Sequence, residues 1–141
     1  MEKVTGIGGL FVRARDPASL ARWYEEHLGV LRTPTEYGAP SWEQDAGPTV
    51  FEPFPETTRY FGEASKQWMV NFRVKDLDAM VEQLRSHRVD VEVDAEVYPN
   101  GRFARLADPE GNPIQLWQPA APDGDTSSTA SEVASGVPPA P

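Results

Sequence analysis

Apolar and polar residues alternate along Leu10-Phe11-Val12-Arg13-Ala14-Arg15, with Leu10, Val12 and Ala14 on one parity. A period of two predicts a half-buried strand. Asp16-Pro17 then sets a helix start, with Asp as N-cap and Pro at the first helical position. Leu20, Tyr24 and Leu28 recur at every fourth residue with Trp23 beside them, an amphipathic helix that Gly29 ends. Residues 37–43 and 49–54 predict two strands around the turn Asp45-Ala46-Gly47-Pro48. In the second of these, Val50, Glu52 and Phe54 share a face. Residues 57–66 form a loop that carries Tyr60 and Phe61.

The pattern then restarts. Residues 68–76 predict a strand that ends on a capping Asp76, and the next helix presents Leu77, Met80, Val81 and Leu84 on its apolar side. At an offset of 60 residues, Val12-Arg13-Ala14-Arg15-Asp16 lies over Phe72-Arg73-Val74-Lys75-Asp76, and His27 falls on His87. A strand near 89–93 follows, then a loop at Tyr98-Pro99-Asn100-Gly101. Two strands joined by Asp108-Pro109-Glu110-Gly111-Asn112 close the pattern. Each turn residue has a reason: Asp bonds nearby backbone, Pro presets φ, and Gly and Asn tolerate positive φ. After the turn, Ile114 and Leu116 take one face and Gln115 and Trp117 the other. The chain therefore reads as two copies of strand, helix and about three strands, an internal repeat weak in identities but good in order and spacing.

Composition narrows the classes. A chain of 141 residues is long enough for one well-cored domain. No apolar run approaches the roughly 18 residues of a membrane span, and the first residues lack the charged-then-apolar layout of a signal peptide. Cysteine is absent, which excludes disulfides, zinc–thiolate sites and thiol nucleophiles and fits a reducing cytoplasm. The net charge of −9 argues against nucleic acid or an anionic membrane as partner. Three of those charges, Asp123, Asp125 and Glu132, lie in the Pro/Ser/Ala-rich stretch 119–141. That stretch has no aromatic residue and predicts a disordered tail after a domain of 1–118. Gly6-Ile7-Gly8-Gly9 precedes a strand rather than a helix, so it is no dinucleotide loop.

Three pieces of the repeat, together with its order, resemble the vicinal oxygen chelate superfamily of glyoxalases, bleomycin-resistance proteins and ring-cleaving dioxygenases. They are Arg22-Trp23-Tyr24-Glu25-Glu26-His27-Leu28-Gly29, Phe72-Arg73-Val74-Lys75-Asp76-Leu77-Asp78 and Asp108-Pro109-Glu110-Gly111-Asn112-Pro113-Ile114-Gln115-Leu116-Trp117. The resemblance covers about residues 3–118. It implies an α+β fold of two βαβββ modules, each curling its strands into half a cup with helices outside, and it implies a homodimer. Enzymes of the superfamily hold a divalent metal in the cup. Carried over position by position, the four ligand positions fall on Gly9, near Glu52, on Met69 and on Gln115. Gly9 has no donor, a thioether suits soft ions, and a neutral amide balances little of a dication's charge. Metal and cofactor are therefore expected to be absent. The alternative is a divalent metal using Glu52 and Gln115.

Strand parity lists the residues that would line the cup. The first half supplies Phe11, Arg13, Val50, Glu52 and Phe54. The second supplies Met69, Asn71 and Arg73, then Phe103 and Arg105, then Gln115 and Trp117. Apolar walls with a few placed polar groups suit a small organic ligand. The arginines can hold a carboxylate or phosphate, or Arg13 and Arg73 can pair with surface acids at strand ends. Glu52 can act as a general base in an apolar cup, or can pair with one of those arginines. Tyr98 and Arg102 can form a flexible lip or be ordinary loop residues. His27 and His87 read as solvated residues complementing helix C-termini. No nucleophile–base arrangement is legible. The leading expectation is a protein that binds a small molecule in the cup, by sequestration or with metal-independent chemistry. A metal-dependent glyoxalase-type lyase or dioxygenase, and a non-catalytic interaction module, are the alternatives.

Overall fold

The computed structural model describes residues 1–121. The tail expected at 119–141 lies outside them from residue 122 onward. The elements are α1 (Pro17–Leu28), β1 (Val70–Arg73), α2 (Leu77–Ser86), β2 (Glu92–Val93), β3 (Gly101–Ala107) and β4 (Pro113–Pro119). The strands form one mixed sheet in the order β1-β4-β3-β2. β1 runs parallel to β4, and the other two pairings are antiparallel. The second half of the repeat is thus a complete βαβββ module, and the α+β class is the expected one.

Both helices begin as their sequences dictate. The Asp16 carboxylate accepts from the Ser19 amide at 3.1 Å, and Asp76 accepts from the Ala79 amide at 3.0 Å. Gly29, at φ 71°, closes α1 in the left-handed region. α2 ends differently. Arg88 takes φ 62°, its N–H donates to the Arg85 carbonyl and the Val89 N–H donates to the Leu84 carbonyl at 3.0 Å. This is a Schellman closure with a non-glycine residue at its left-handed position. It also takes up the Val89 donor, which is why the strand expected at 89–93 shortens to β2.

The core lies between α2 and the sheet. Leu77, Val81, Leu84, Ala104, Leu106, Ile114 and Leu116 form one buried cluster, and Trp23, Tyr24 and Leu28 of α1 pack against it with Phe72. Register makes this possible, because Ala104 lies opposite Leu116 and Leu106 opposite Ile114. The Asp108 turn joins the halves. Its buried carboxylate accepts from the amides of Glu110 and Asn112, from the Asn112 side chain at 2.7 Å and from the Tyr24 hydroxyl of α1 at 2.7 Å. Glu110 in turn accepts from the amides of Arg15 and Asp16.

The first half departs from expectation. Residues 10–15, 37–43 and 49–54 join no ladder among the described residues. Leu10 and Val12, expected to be half-buried, are exposed, and Phe11, Tyr37 and Phe51 are almost wholly so. Gly38 at φ 91° bends the first expected strand of that pair into a turn. Pro48 and Pro53 remove backbone donors from the second. A strand also needs a neighbour, and β1 and β2 at the sheet edges are not joined by these segments. No helix among the described residues is long and apolar enough to cross a membrane.

Candidate functional site

Alternation puts Phe103, Arg105, Gln115 and Trp117 on the sheet face opposite the core. The register sets Phe103 against Trp117 and Arg105 against Gln115. β1 adds Asn71 beside Gln115 and Arg73 beside Trp117. The polar centre of this face is tightly wired. The Asn71 amide nitrogen donates to Gln115 Oε1 at 2.6 Å, and Gln115 Nε2 donates to the Tyr60 hydroxyl at 2.7 Å. The Arg105 guanidinium donates to the Tyr60 carbonyl and lies 4.4 Å from the centre of the Tyr60 ring. Gln115 is 1% exposed, so both ends of its amide need those partners.

Aromatic rings frame that centre. Phe103 and Trp117 lie parallel at 6.4 Å, and Tyr98 meets Phe103 edge-on at 5.9 Å. Trp117 Nε1 donates to the buried Asn100 carbonyl at 2.8 Å. On the other side Phe54 lies 5.9 Å from Tyr60 and 5.0 Å from Phe61. Residues 54–61 therefore strap the face, with Tyr60 seated on Arg105 and Gln115. Burial pushes the Tyr60 hydroxyl pKa up, opposed by the Arg105 charge and the Gln115 bond. The Asp94 carboxylate, accepting from the Tyr98 hydroxyl at 2.8 Å, holds that phenol up to about 12.

Some expected site residues lie outside the strands or face the helix side of the sheet. Phe11, Arg13 and Glu52 are exposed and outside any strand, because the ladders that would aim them inward are absent from the described residues. Arg102 alternates with Phe103 and so faces the helix side, where it grips Asp78 of α2 through two bonds of 2.9 and 3.0 Å. The Tyr98 amide donates to the Gly101 carbonyl, and the Tyr98 carbonyl accepts from the Gly101 amide. Among the described residues no ion pair of Arg73 with an acid is seen. Its guanidinium donates to the Asp45 carbonyl at 2.8 Å and fills the space beside Gly47. Met69 precedes β1 at the parity of Asn71, half-buried. The residue that sequence reasoning left unassigned is Tyr60. Its only signal was a pair of adjacent aromatics in a loop between proline-rich and apolar segments.

Of the four carried-over ligand positions, Glu52 alone keeps a carboxylate. Gly9 offers no donor, Met69 offers a thioether, and Gln115 Oε1 already accepts from Asn71. Among the described residues no group of three or more His, Cys, Asp or Glu could hold an ion. A cavity of about 530 Å³ adjoins the face at the β2 edge, lined by Arg85, Arg88, Val89, Asp90, Val91, Glu92 and Arg105. It meets the wired centre only through Arg105.

Comparison with known proteins gives a consistent picture. The family model of the glyoxalase-like domain matches residues 9–117. TnmS3, an antibiotic binding protein from Streptomyces sp. CB03234, is 22% identical, with 85% of this chain and 100% of that chain covered at a TM-score of 0.58. A protein from the mobile metagenome of V. Pseudocholerae is 19% identical over 86% of this chain and 99% of its own, at a TM-score of 0.53. Both are likenesses of fold. No curated protein matches the chain.

Proposed function

Because the chain belongs to the glyoxalase-like domain family of the vicinal oxygen chelate superfamily, we propose that it binds a small organic molecule on the β1-β4-β3 face without the superfamily metal. The observation that carries this reading is the wired centre of Asn71, Arg105 and Gln115 framed by Phe103 and Trp117. Flat aromatic walls around a few fixed donors and acceptors suit a planar molecule bearing carbonyl or hydroxyl oxygens. The antibiotic binding protein of the same fold supports that ligand class. Tyr60 occupies the place such a molecule would take, its ring under Arg105 and its hydroxyl on Gln115. The adjoining cavity of about 530 Å³ is the way in. Arg105, shared by both, takes an oxygen of the ligand in exchange for the Tyr60 carbonyl.

The same contacts favour a second reading, the interaction module, in which Tyr60 closes the face permanently. Titration of a panel of planar aromatic antibiotics, followed by tryptophan fluorescence and calorimetry, separates the two. The binding reading expects saturable binding, about tenfold tighter in Tyr60→Ala and about tenfold weaker in Gln115→Ala. Absence of saturable binding in both the native chain and Tyr60→Ala favours the closed module. Metal analysis of protein purified without chelator addresses the metal. Stoichiometric Mn, Ni, Zn or Fe that is lost in Glu52→Ala and in Gln115→Ala would overturn the metal-free reading. A homodimer is part of the proposal, with the exposed side chains Leu10, Phe11, Tyr37 and Phe51 as the apolar groups it would cover.

A further inference from the structure

The two histidines, placed alike in the two halves of the repeat, meet in space. His27 stands in the last turn of α1, and His87 is the C-cap of α2. Their rings lie 5.6 Å apart, centre to centre, at 67°. The Trp23 ring, 5.2 Å from His27, supports it from the next turn. Sequence alone places both as solvated helix ends, and nothing in the ligand site uses them.

Three observations bear on what such a pair can do. The first is distance. Two imidazoles bound side by side to one ion, with metal–nitrogen bonds of about 2.0–2.1 Å, have ring centres roughly 4.5–5.5 Å apart. The observed separation of 5.6 Å is close to that, and the rings, now edge to face, would turn about their side-chain bonds to bring one nitrogen of each onto the ion. The second is the protonation of His87. Its Nδ1 lies 2.8 Å from the Gln83 carbonyl, an acceptor only, so in the neutral ring Nδ1 carries the proton and Nε2 holds the lone pair. A ring nitrogen anchored to a backbone carbonyl, with the other left as donor, is the usual support of a metal-ligating histidine. The third is field. Both rings stand where backbone carbonyls end a helix, and that end of a helix favours positive charge.

We propose that His27 and His87 form a two-histidine site for a divalent transition ion, Zn²⁺, Ni²⁺ or Cu²⁺, with water completing the coordination. No third protein ligand is at hand among the described residues, so the site is open and exchangeable rather than a structural zinc centre. The ion would bridge α1 to α2 and so lock the first half of the chain onto the second. This site is separate from the ligand face and stands or falls independently of it.

The test uses untagged full-length chain. Zn²⁺ and Ni²⁺ are titrated by calorimetry and by thermal melting, and Cu²⁺ by quenching of Trp23 beside His27. The expected result is one ion per chain, a melting temperature raised by several degrees at saturating ion, and loss of at least tenfold in affinity in His27→Ala and in His87→Gln. Trp23→Phe should remove the Cu²⁺ quenching and leave the calorimetric stoichiometry intact. Binding unchanged in both histidine variants, or no binding at millimolar ion, would overturn the proposal. An ion lost in Glu52→Ala but kept in His27→Ala would count against both this site and the metal-free ligand face.

Discussion

Helix α1 and helix α2 are built alike, each opened by an Asp cap and each packed on the same apolar cluster. What surrounds them differs. Around α2, the chain returns through β2, β3 and β4, and the β3/β4 ladder buries Phe103, Ala104, Ile114, Leu116 and Trp117 almost completely. Around α1, the flanking segments lie outside any strand, with Phe11, Tyr37 and Phe51 in water. One half carries its own sheet, while the other is attached through a helix, a buried turn and the strap at Tyr60. The difference teaches where fixed side-chain geometry resides. Hydrogen-bonded strands hold side chains in fixed register, and the wired face exists only where that register does.

The comparison can be broken most forcefully in the buried strand. Leu116 is fully enclosed, so Leu116→Ala is expected to lose about 2–5 kcal/mol in chemical denaturation. A loss below about 1 kcal/mol would mean that the second module is not the structural centre. The joint between halves comes next. Asp108 satisfies two backbone amides, Asn112 and Tyr24 with one carboxylate. Asp108→Ala should cost about 2–3 kcal/mol, and Tyr24→Phe about 1 kcal/mol. Double-mutant analysis of the two should show coupling, because they share one bond. At the small end, Phe51→Ala should change monomer stability by no more than about 0.5 kcal/mol. The same substitution should shift the monomer–dimer equilibrium measured by sedimentation toward monomer if that surface is an interface between copies.

Much of the second module was legible because its signals reinforce one another. Asp76 caps, the apolar stripe of α2 and the alternation of β4 all point to one arrangement, and Asp108 to Asn112 have turn chemistry at every position. Parity alone put Asn71, Arg73, Phe103, Arg105, Gln115 and Trp117 on one face, where they stand. Arg102, expected at a lip or in an ordinary loop, is instead a residue of β3 that alternates to the helix side and pairs with Asp78. The first half misled for a physical reason. Alternation at residues 10–15 and 49–54 signals a strand only when a neighbour supplies the ladder, and local pattern does not name the neighbour. Tyr60 was missed because a loop has no period. Its role comes from where the turns at 55–62 set its ring and hydroxyl against Arg105 and Gln115.

The central claim is that the face carrying Asn71, Arg105 and Gln115 is a ligand site held by Tyr60 until a ligand arrives. Nuclear magnetic resonance of the side-chain amides of Asn71 and Gln115, during titration with a planar aromatic antibiotic that binds in calorimetry, tests it directly. The account predicts that both amides and the Arg105 guanidinium shift first, and that Tyr60 loses its contacts in step with saturation. Shifts confined to the exposed first half, with both amides and Tyr60 unmoved at saturation, would contradict it.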